Sequence, residues 1–177
     1  MCRLSVFFIV VLFIVSCAED EYYLYEKENF SISIPKNMEY VENSLEKTFA
    51  CFKISDENDP SGLKISVYRD LKHQGERDFE LNDYYKFVAD NILDKTLVSG
   101  SLNPPIKTTI NEKNAMTFEI TGKYKYEDEL YDMFLKSVII ETDKYFYEIT
   151  FSLEKKYKDM YIDKINEIAS SIKITGK

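Results

Sequence analysis

Tryptophan is missing from this 177-residue chain, histidine occurs once, cysteine three times, proline four times and glycine five times. The single histidine, His73, lies in the polar stretch "KHQGERD". With the thiols far from it, it supplies neither the three or four ligands of a zinc centre nor a base beside a nucleophile. The glycines are unclustered, which leaves no loop to cradle phosphates, and no motif asks for a cofactor. A carbohydrate-stacking platform is disfavoured without tryptophan. Bases are outnumbered by acids, 23 to 31, for a formal net charge of −8. Nothing basic is left to neutralise a nucleic acid's phosphates, and an anionic membrane surface would repel the chain. The longest apolar run, Leu4 to Val15, is broken only by Ser5 and is followed within a few positions by Glu19, Asp20 and Glu21. It falls short of the roughly 20 residues a membrane-spanning helix needs.

What that run does fit is a secretory signal peptide, with Arg3 as its basic end. Its last residues, Ile14-Val15-Ser16-Cys17, resemble the lipobox of bacterial lipoproteins. The resemblance implies lipid attachment at Cys17, cleavage immediately before it, and attachment of the protein to a membrane through its N-terminal lipid. Each buried methylene contributes about 0.8 kcal/mol, so two or three acyl chains anchor stably. An ordinary secretory signal, with Ser16 and Ala18 serving the peptidase, is the alternative. Ala18 is not the aspartate that the resemblance associates with inner-membrane retention, which points to the outer membrane of a bacterial cell envelope, facing either the periplasm or the surface. Glu19-Asp20-Glu21 reads as an acidic solvated tether and also resembles surface-export tags of some bacterial lipoproteins. The expected organisation is a signal peptide over 1–16, a lipidated acidic tether over 17–24 and one domain over 25–177.

Removing 16 residues from 177 leaves 161, the size of one ordinary domain, and the loss of Arg3 takes the net charge from −8 to −9. Cys2 leaves with the leader and Cys17 is committed to lipid, so Cys51 has no partner for an internal disulfide. Its apolar setting, "TFACFKI", is that of a small core residue.

In "YYLYEKENFSISIP", Phe30, Ile32 and Ile34 alternate with Ser31 and Ser33, the period of a half-buried strand in a hairpin. "TFACFKI" and "LKISVYRD" form a second hairpin across the turn formers of "SDENDPSG". Asn82 and Asp83 open a helix whose Tyr84, Tyr85, Val88, Ala89, Ile92 and Leu93 form one apolar stripe, and Gly100 with Pro104-Pro105 stops it. "PIKTTIN", "AMTFEITGKYKY", "LYDMFLKSVIIET" and "KYFYEITFSL" then make an antiparallel meander. A closing helix over about Lys155 to Ser171 presents Tyr157, Tyr161, Ile165, Ile168 and Ile172 on one face.

That order is α+β, an antiparallel sheet covered by helices. It resembles the PsbP-like superfamily in "YEKENFSISIPKNM", "LNDYYKFVADNIL", "FLKSVIIETDKYFYEITF" and "YIDKINEIASSIKI", from about Tyr25 to Ile174. Many members carry a tryptophan after the first proline, where this chain has Met38. The resemblance implies a PsbP-like α/β/α sandwich, usually a non-catalytic binding or assembly module, and it transfers no site residue.

Three local features bear on chemistry. Asp56, Asn58 and Asp59 offer oxygen ligands, but a twelve-residue calcium loop wants glycine sixth and glutamate twelfth, where Ser61 and Val67 stand, so a hairpin turn is expected. Tyr124, Tyr126 and Tyr131, interleaved with Lys123 and Lys125, form either a patch for contact with an envelope protein partner or the alternate faces of a covered strand. Scattered carboxylates can be brought together by folding as acid and base. The expectation is therefore a membrane-anchored, non-catalytic binding or assembly module, with an envelope hydrolase using a carboxylate-based site as the alternative.

Overall fold

The structure, a computed structural model, describes residues 21–42, 48–56, 58–74 and 77–175. The leader with Ile14–Cys17, as well as Ala18, Glu19 and Asp20, lies outside the described residues. Strands β1 (Tyr22–Lys27) and β2 (Phe30–Pro35) pair antiparallel with Lys27 opposite Phe30, which leaves Glu28-Asn29 as the turn. Glu28 takes a φ of 54° there. The first strand thus begins inside the stretch 17–24, at Tyr22. β2 buries Phe30, Ile32 and Ile34 as its alternation requires.

Then come β3 (Met38–Tyr40), β4 (Thr48–Ile54) and β5 (Lys64–Leu71), the last two pairing as the expected hairpin. Two short strands, β6 (His73–Gln74) and β7 (Arg77–Asp78), pair with each other where the polar sequence reads as loop. Helix α1 (Leu81–Asn91) runs into a π turn over Ile92–Thr96, in which the Leu97 N–H donates to Ile92 O at 3.1 Å. β8 (Ser99–Leu102) follows, in the segment where Gly100 is expected only to end the helix. The meander is β9 (Ile106–Ile110), β10 (Lys113–Tyr126), β11 (Glu129–Glu141) and β12 (Tyr145–Glu154). Asn111 and Glu112, both at positive φ, turn β9 into β10, the conformation a tight two-residue hairpin demands. A 3₁₀ turn, Lys155–Tyr157, leads into α2 (Lys158–Ser170), and β13 (Lys173–Ile174) ends the fold.

The central sheet runs β3-β4-β5-β12-β11-β10-β8, with β9 also on β10, and every pairing is antiparallel. A second sheet, β1-β2-β13, lies with α2 on one face. Ile165, Ile168 and Ile172, the expected apolar face of the closing helix, are fully buried with Phe30, Ile32 and Ile34 against Phe134, Val138, Ile149 and Phe151 of the sheet. On the opposite face, α1 sets Tyr84, Tyr85, Val88 and Ala89 against Met116, Phe118, Ile120, Leu135, Ile139 and Phe146. The Tyr84 ring stacks on Phe146 with centroids 4.3 Å apart. The architecture is α+β, an antiparallel sheet between helical layers. Among the described residues no helix is long and apolar enough to cross a membrane.

Candidate functional site

β5 and β12 lie side by side with Tyr68 opposite Glu148. A strand sends alternate side chains to opposite faces, so Glu148, Thr150 and Ser152 share the α1 face with Lys64, Ser66, Tyr68 and Asp70. Helix α1 sits over β10, β11 and the start of β12 and leaves this polar strip open. The result is a groove of about 360 Å³. Its floor is Ser66, Tyr68, Glu148, Thr150 and Ser152; Ile92, Thr96 and Leu97 wall it on the helix side, and Tyr124, Met133 and Leu135 on the other. The π turn supplies the helix-side wall, and such widened turns recur at functional sites. A second recess of about 290 Å³ continues under α1 past Asp70, Tyr84, Phe87 and Lys95, sharing Tyr68, Ile92, Thr96 and Glu148 with the first.

Glu148 is partly buried where the two recesses meet. Its Oε1 accepts a hydrogen bond from the Thr150 hydroxyl at 2.9 Å, and that hydroxyl lies 2.7 Å from the buried Ser137 Oγ. Removal from water pushes the Glu148 carboxyl up to about 7; the Thr150 bond pulls the other way and the nearby Asp70 charge adds to the rise. Among the described residues no cation forms an ion pair with Glu148. Asp70 Oδ2 accepts a 2.6 Å hydrogen bond from the Tyr84 hydroxyl. Burial first, and then that bond, hold the Tyr84 phenol well above its ordinary range. The Tyr68 phenol is also raised, mainly by burial, against a hydrogen bond with Ser66.

Tyr124 and Tyr131 are directly opposed across the β10–β11 hairpin. Tyr124 is 36% exposed and walls the groove; Tyr126, two residues on along the same face, is 58% exposed beyond it. Tyr131 is partly buried, and its hydroxyl donates to Glu129 Oε2 at 2.5 Å. Cys51 is 2% exposed and pairs with Ser66 across β4 and β5, next to Tyr68 on the groove side of the sheet. Asp56 and Asp59 are occupied by the turn itself: their Oδ1 atoms accept from the Asn58 and Ser61 N–H groups at 2.8 and 2.9 Å. Asp59 also accepts from the Tyr161 hydroxyl. Asp70 and Glu148 are the functional candidates that the sequence reading does not single out. The available signal is the polar phase of β12, where Glu148, Thr150 and Ser152 alternate with fully buried Tyr147, Ile149, Phe151 and Leu153.

No protein-family profile matches the chain, and no curated protein matches it. Solved structures do. Cyanobacterial PsbP (CyanoP) from Synechocystis sp. PCC 6803 superposes with a TM-score of 0.63 at 12% identity, over 92% of this chain and 99% of that one. The chain has the PsbP-like fold. LpqN, a Mycobacterium tuberculosis protein involved in cell envelope biogenesis, shares it with a TM-score of 0.60 at 15% identity, over 83% of each chain. So does the Saccharomyces cerevisiae Ran-binding protein Mog1p, with 0.61 at 8% identity over 86% of this chain and 95% of that one. At such identities the likeness is one of fold, and the residues of the groove stand on this chain's own PsbP-like geometry.

Proposed function

We propose that this protein is a lipid-anchored module of a bacterial cell envelope, attached through Cys17, that binds a partner through the groove and the adjoining Tyr124–Tyr131 hairpin and performs no chemistry itself. The observation that carries the reading is the groove: a concave strip of sheet between apolar walls, with hydrogen-bonding groups converging on its floor, the general make-up of a binding site. The lipobox-like Ile14–Cys17 supports the anchor. A PsbP-like neighbour engaged in envelope biogenesis supports the compartment. Cys51, the thiol of the described residues, is buried and does not line the groove.

Two measurements test it. A photocrosslinking residue in place of Tyr124 should capture one defined envelope protein in intact cells, and Ser152→Leu, which fills the groove from its floor, should abolish the capture. Capture that persists in the filled variant rejects the groove as the contact. For the anchor, Cys17→Ala should lose a metabolically incorporated fatty-acid label and leave the membrane fraction or accumulate as precursor; label retained on that variant rejects the assignment.

A second reading has one observation in its favour. Asp70 and Glu148, far apart in sequence, share a wall of connected recesses, with the Glu148 carboxyl raised to about 7. Two carboxyls brought to one site can divide into acid and base. Turnover of an ester, peptide, phosphate or glycoside substrate by the purified protein, lost in Glu148→Gln, would establish an envelope hydrolase in place of the binding module.

A further inference from the structure

The groove holds a carboxylate with most of its hydrogen-bonding capacity unused. Glu148 Oε1 accepts from Thr150, and no other hydrogen bond holds the carboxylate among the described residues, which leaves Oε2 to the solvent of the groove. A charge taken out of water without a counter-charge is costly, and pairing it recovers much of that cost. The cations that line the two recesses do not serve. Lys64 and Lys95 stand exposed at the rim, and neither forms an ion pair with Glu148. The walls carry aliphatic side chains, with Ile92, Leu97 and Leu135 lining the space beside Thr96, Tyr124 and Met133. The complement of this arrangement is a cation at the end of an apolar stem.

The number of free acceptors favours one kind of cation. A guanidinium is bound best by a two-oxygen fork, whereas an ammonium is a compact point charge with three rotatable donors. Glu148 Oε1 already accepts from Thr150, which leaves Oε2 and the Ser66 hydroxyl, diagonal to Glu148 across β5 and β12, as separate acceptors on the floor. A carboxylate oxygen and a hydroxyl set apart from it suit a compact ammonium better than a planar fork.

We propose that the groove binds a primary ammonium group on an aliphatic stem, its charge against Glu148 and its stem along Ile92, Leu97 and Leu135. This rests on the reading of the groove as a binding site and specifies what enters it. The group belongs either to a free alkylamine or to a lysine side chain of the partner protein. Binding weakens as pH falls through about 7, where the carboxylate gains its proton. The other ionisable groups that face it are Asp70, Tyr68 and Lys64 of β5, Tyr84 of α1, Lys95 of the π turn and Tyr124 of β10, with Cys51 of β4 beside Tyr68.

The experiment titrates the detergent-solubilised full-length protein at pH 8 with n-hexylamine, with n-hexanol and with N-acetyl-lysine methylamide, following the methyl resonances of Ile92, Leu97 and Leu135. The expected result is a saturable shift with both ammonium probes that is at least tenfold weaker in Glu148→Gln and weaker again at pH 6, while hexanol shifts them little. A tighter lysine amide assigns the site to a partner's side chain, and a tighter hexylamine to a free amine. Hexanol binding as well as hexylamine, or an unchanged response in Glu148→Gln, overturns the ammonium proposal and leaves the groove a binding site of another chemistry. No shift with any probe also overturns it, and the Tyr124 crosslinking with Ser152→Leu then decides separately whether the groove binds at all. Should Glu148→Gln fail to fold, Ser152→Leu must remove the shift.

Discussion

The two faces of the central sheet are built from the same strands yet solve opposite problems. Along β12, Tyr147, Ile149, Phe151 and Leu153 point to the α2 face and are fully buried among the β1-β2-β13 sheet and the helix. Their neighbours on the other face are Phe146, Glu148, Thr150 and Ser152, and only Phe146 joins the apolar cluster beneath α1. A sheet covered on both sides reads as a continuous apolar run, and one solvated face shows as alternation. β12 is a hybrid: continuous where α1 covers it, alternating where the groove opens. The α2 face supplies stability, and the α1 face gives up part of its burial to an open groove.

The largest test of that division uses neighbouring positions. Phe151→Ala removes a fully buried ring from the α2 face and should cost about 3–5 kcal/mol through lost burial and the cavity left; Ser152→Ala, on the groove floor, should cost within about 0.5 kcal/mol. Urea denaturation midpoints read both, and equal losses would erase the distinction between the faces. Ile168→Ala belongs with the first group, at about 2–5 kcal/mol.

The α1 face is not uniformly loose, and Gly122 locates its tight point. Gly122 pairs with Gly100 across β10 and β8. A Cβ there would stand 2.4 Å from the Ser99 carbonyl oxygen and 2.6 Å from Leu97 Cδ1. Gly122→Ala should destabilise by about 1–3 kcal/mol, because backbone must shift to admit it. Thermal denaturation checks this, and a neutral outcome would mean that β8 is free to move away.

Glu148 sharpens the comparison through pH. Its folded-state pKa of about 7 lies above the ordinary carboxylate value, so the native state binds the proton more tightly than the unfolded chain. Its contribution is therefore most favourable below the ordinary carboxylate range and declines as pH rises from there through about 7. Glu148→Gln should gain on the order of 2 kcal/mol at pH 8, a figure that allows for water in the open groove, and the gain should vanish by about pH 4. Stability curves of both proteins against pH test it; a difference independent of pH would place the effect in packing.

The smallest effect belongs to a charge on the well-packed face. Lys158 pairs with Glu119 at 3.0 Å and lies over the Phe134 ring, 4.4 Å from its centroid. Both charges are partly exposed, so Lys158→Ala should cost no more than about 1 kcal/mol, with the ion-pair share shrinking as salt is raised.

Much of this molecule is legible from local pattern. The period of two in "FSISIP" and the three-and-four spacing of Ile165, Ile168 and Ile172 specify which side chains turn inward, and the burial follows them. The turn chemistry of "SDENDPSG" is satisfied by its own backbone, with Asp56 and Asp59 as acceptors. Where local pattern misleads, a distant partner is the cause. Ser99–Leu102 carries a glycine that reads as a helix stop, yet it becomes β8 because Gly122 on β10 lets the two backbones close. The aromatic stretch after Gly122 divides by position: Tyr124 joins the groove and Tyr126 stands clear of it.

Taken alone, the sequence determines the features set by neighbouring residues: the lipobox-like Ile14–Cys17, the strand and helix periodicities, the acidic balance and the α+β order. Tertiary structure decides what depends on register and on how far a helix reaches. Asp70 and Glu148 line one recess only because β5 and β12 align with Tyr68 opposite Glu148, and because α1 ends in a π turn that leaves a groove above Thr150 and Ser152. Side-chain alternation is a property of each strand by itself, whereas which strands adjoin and which strip stays open to water is a property of the whole packed chain.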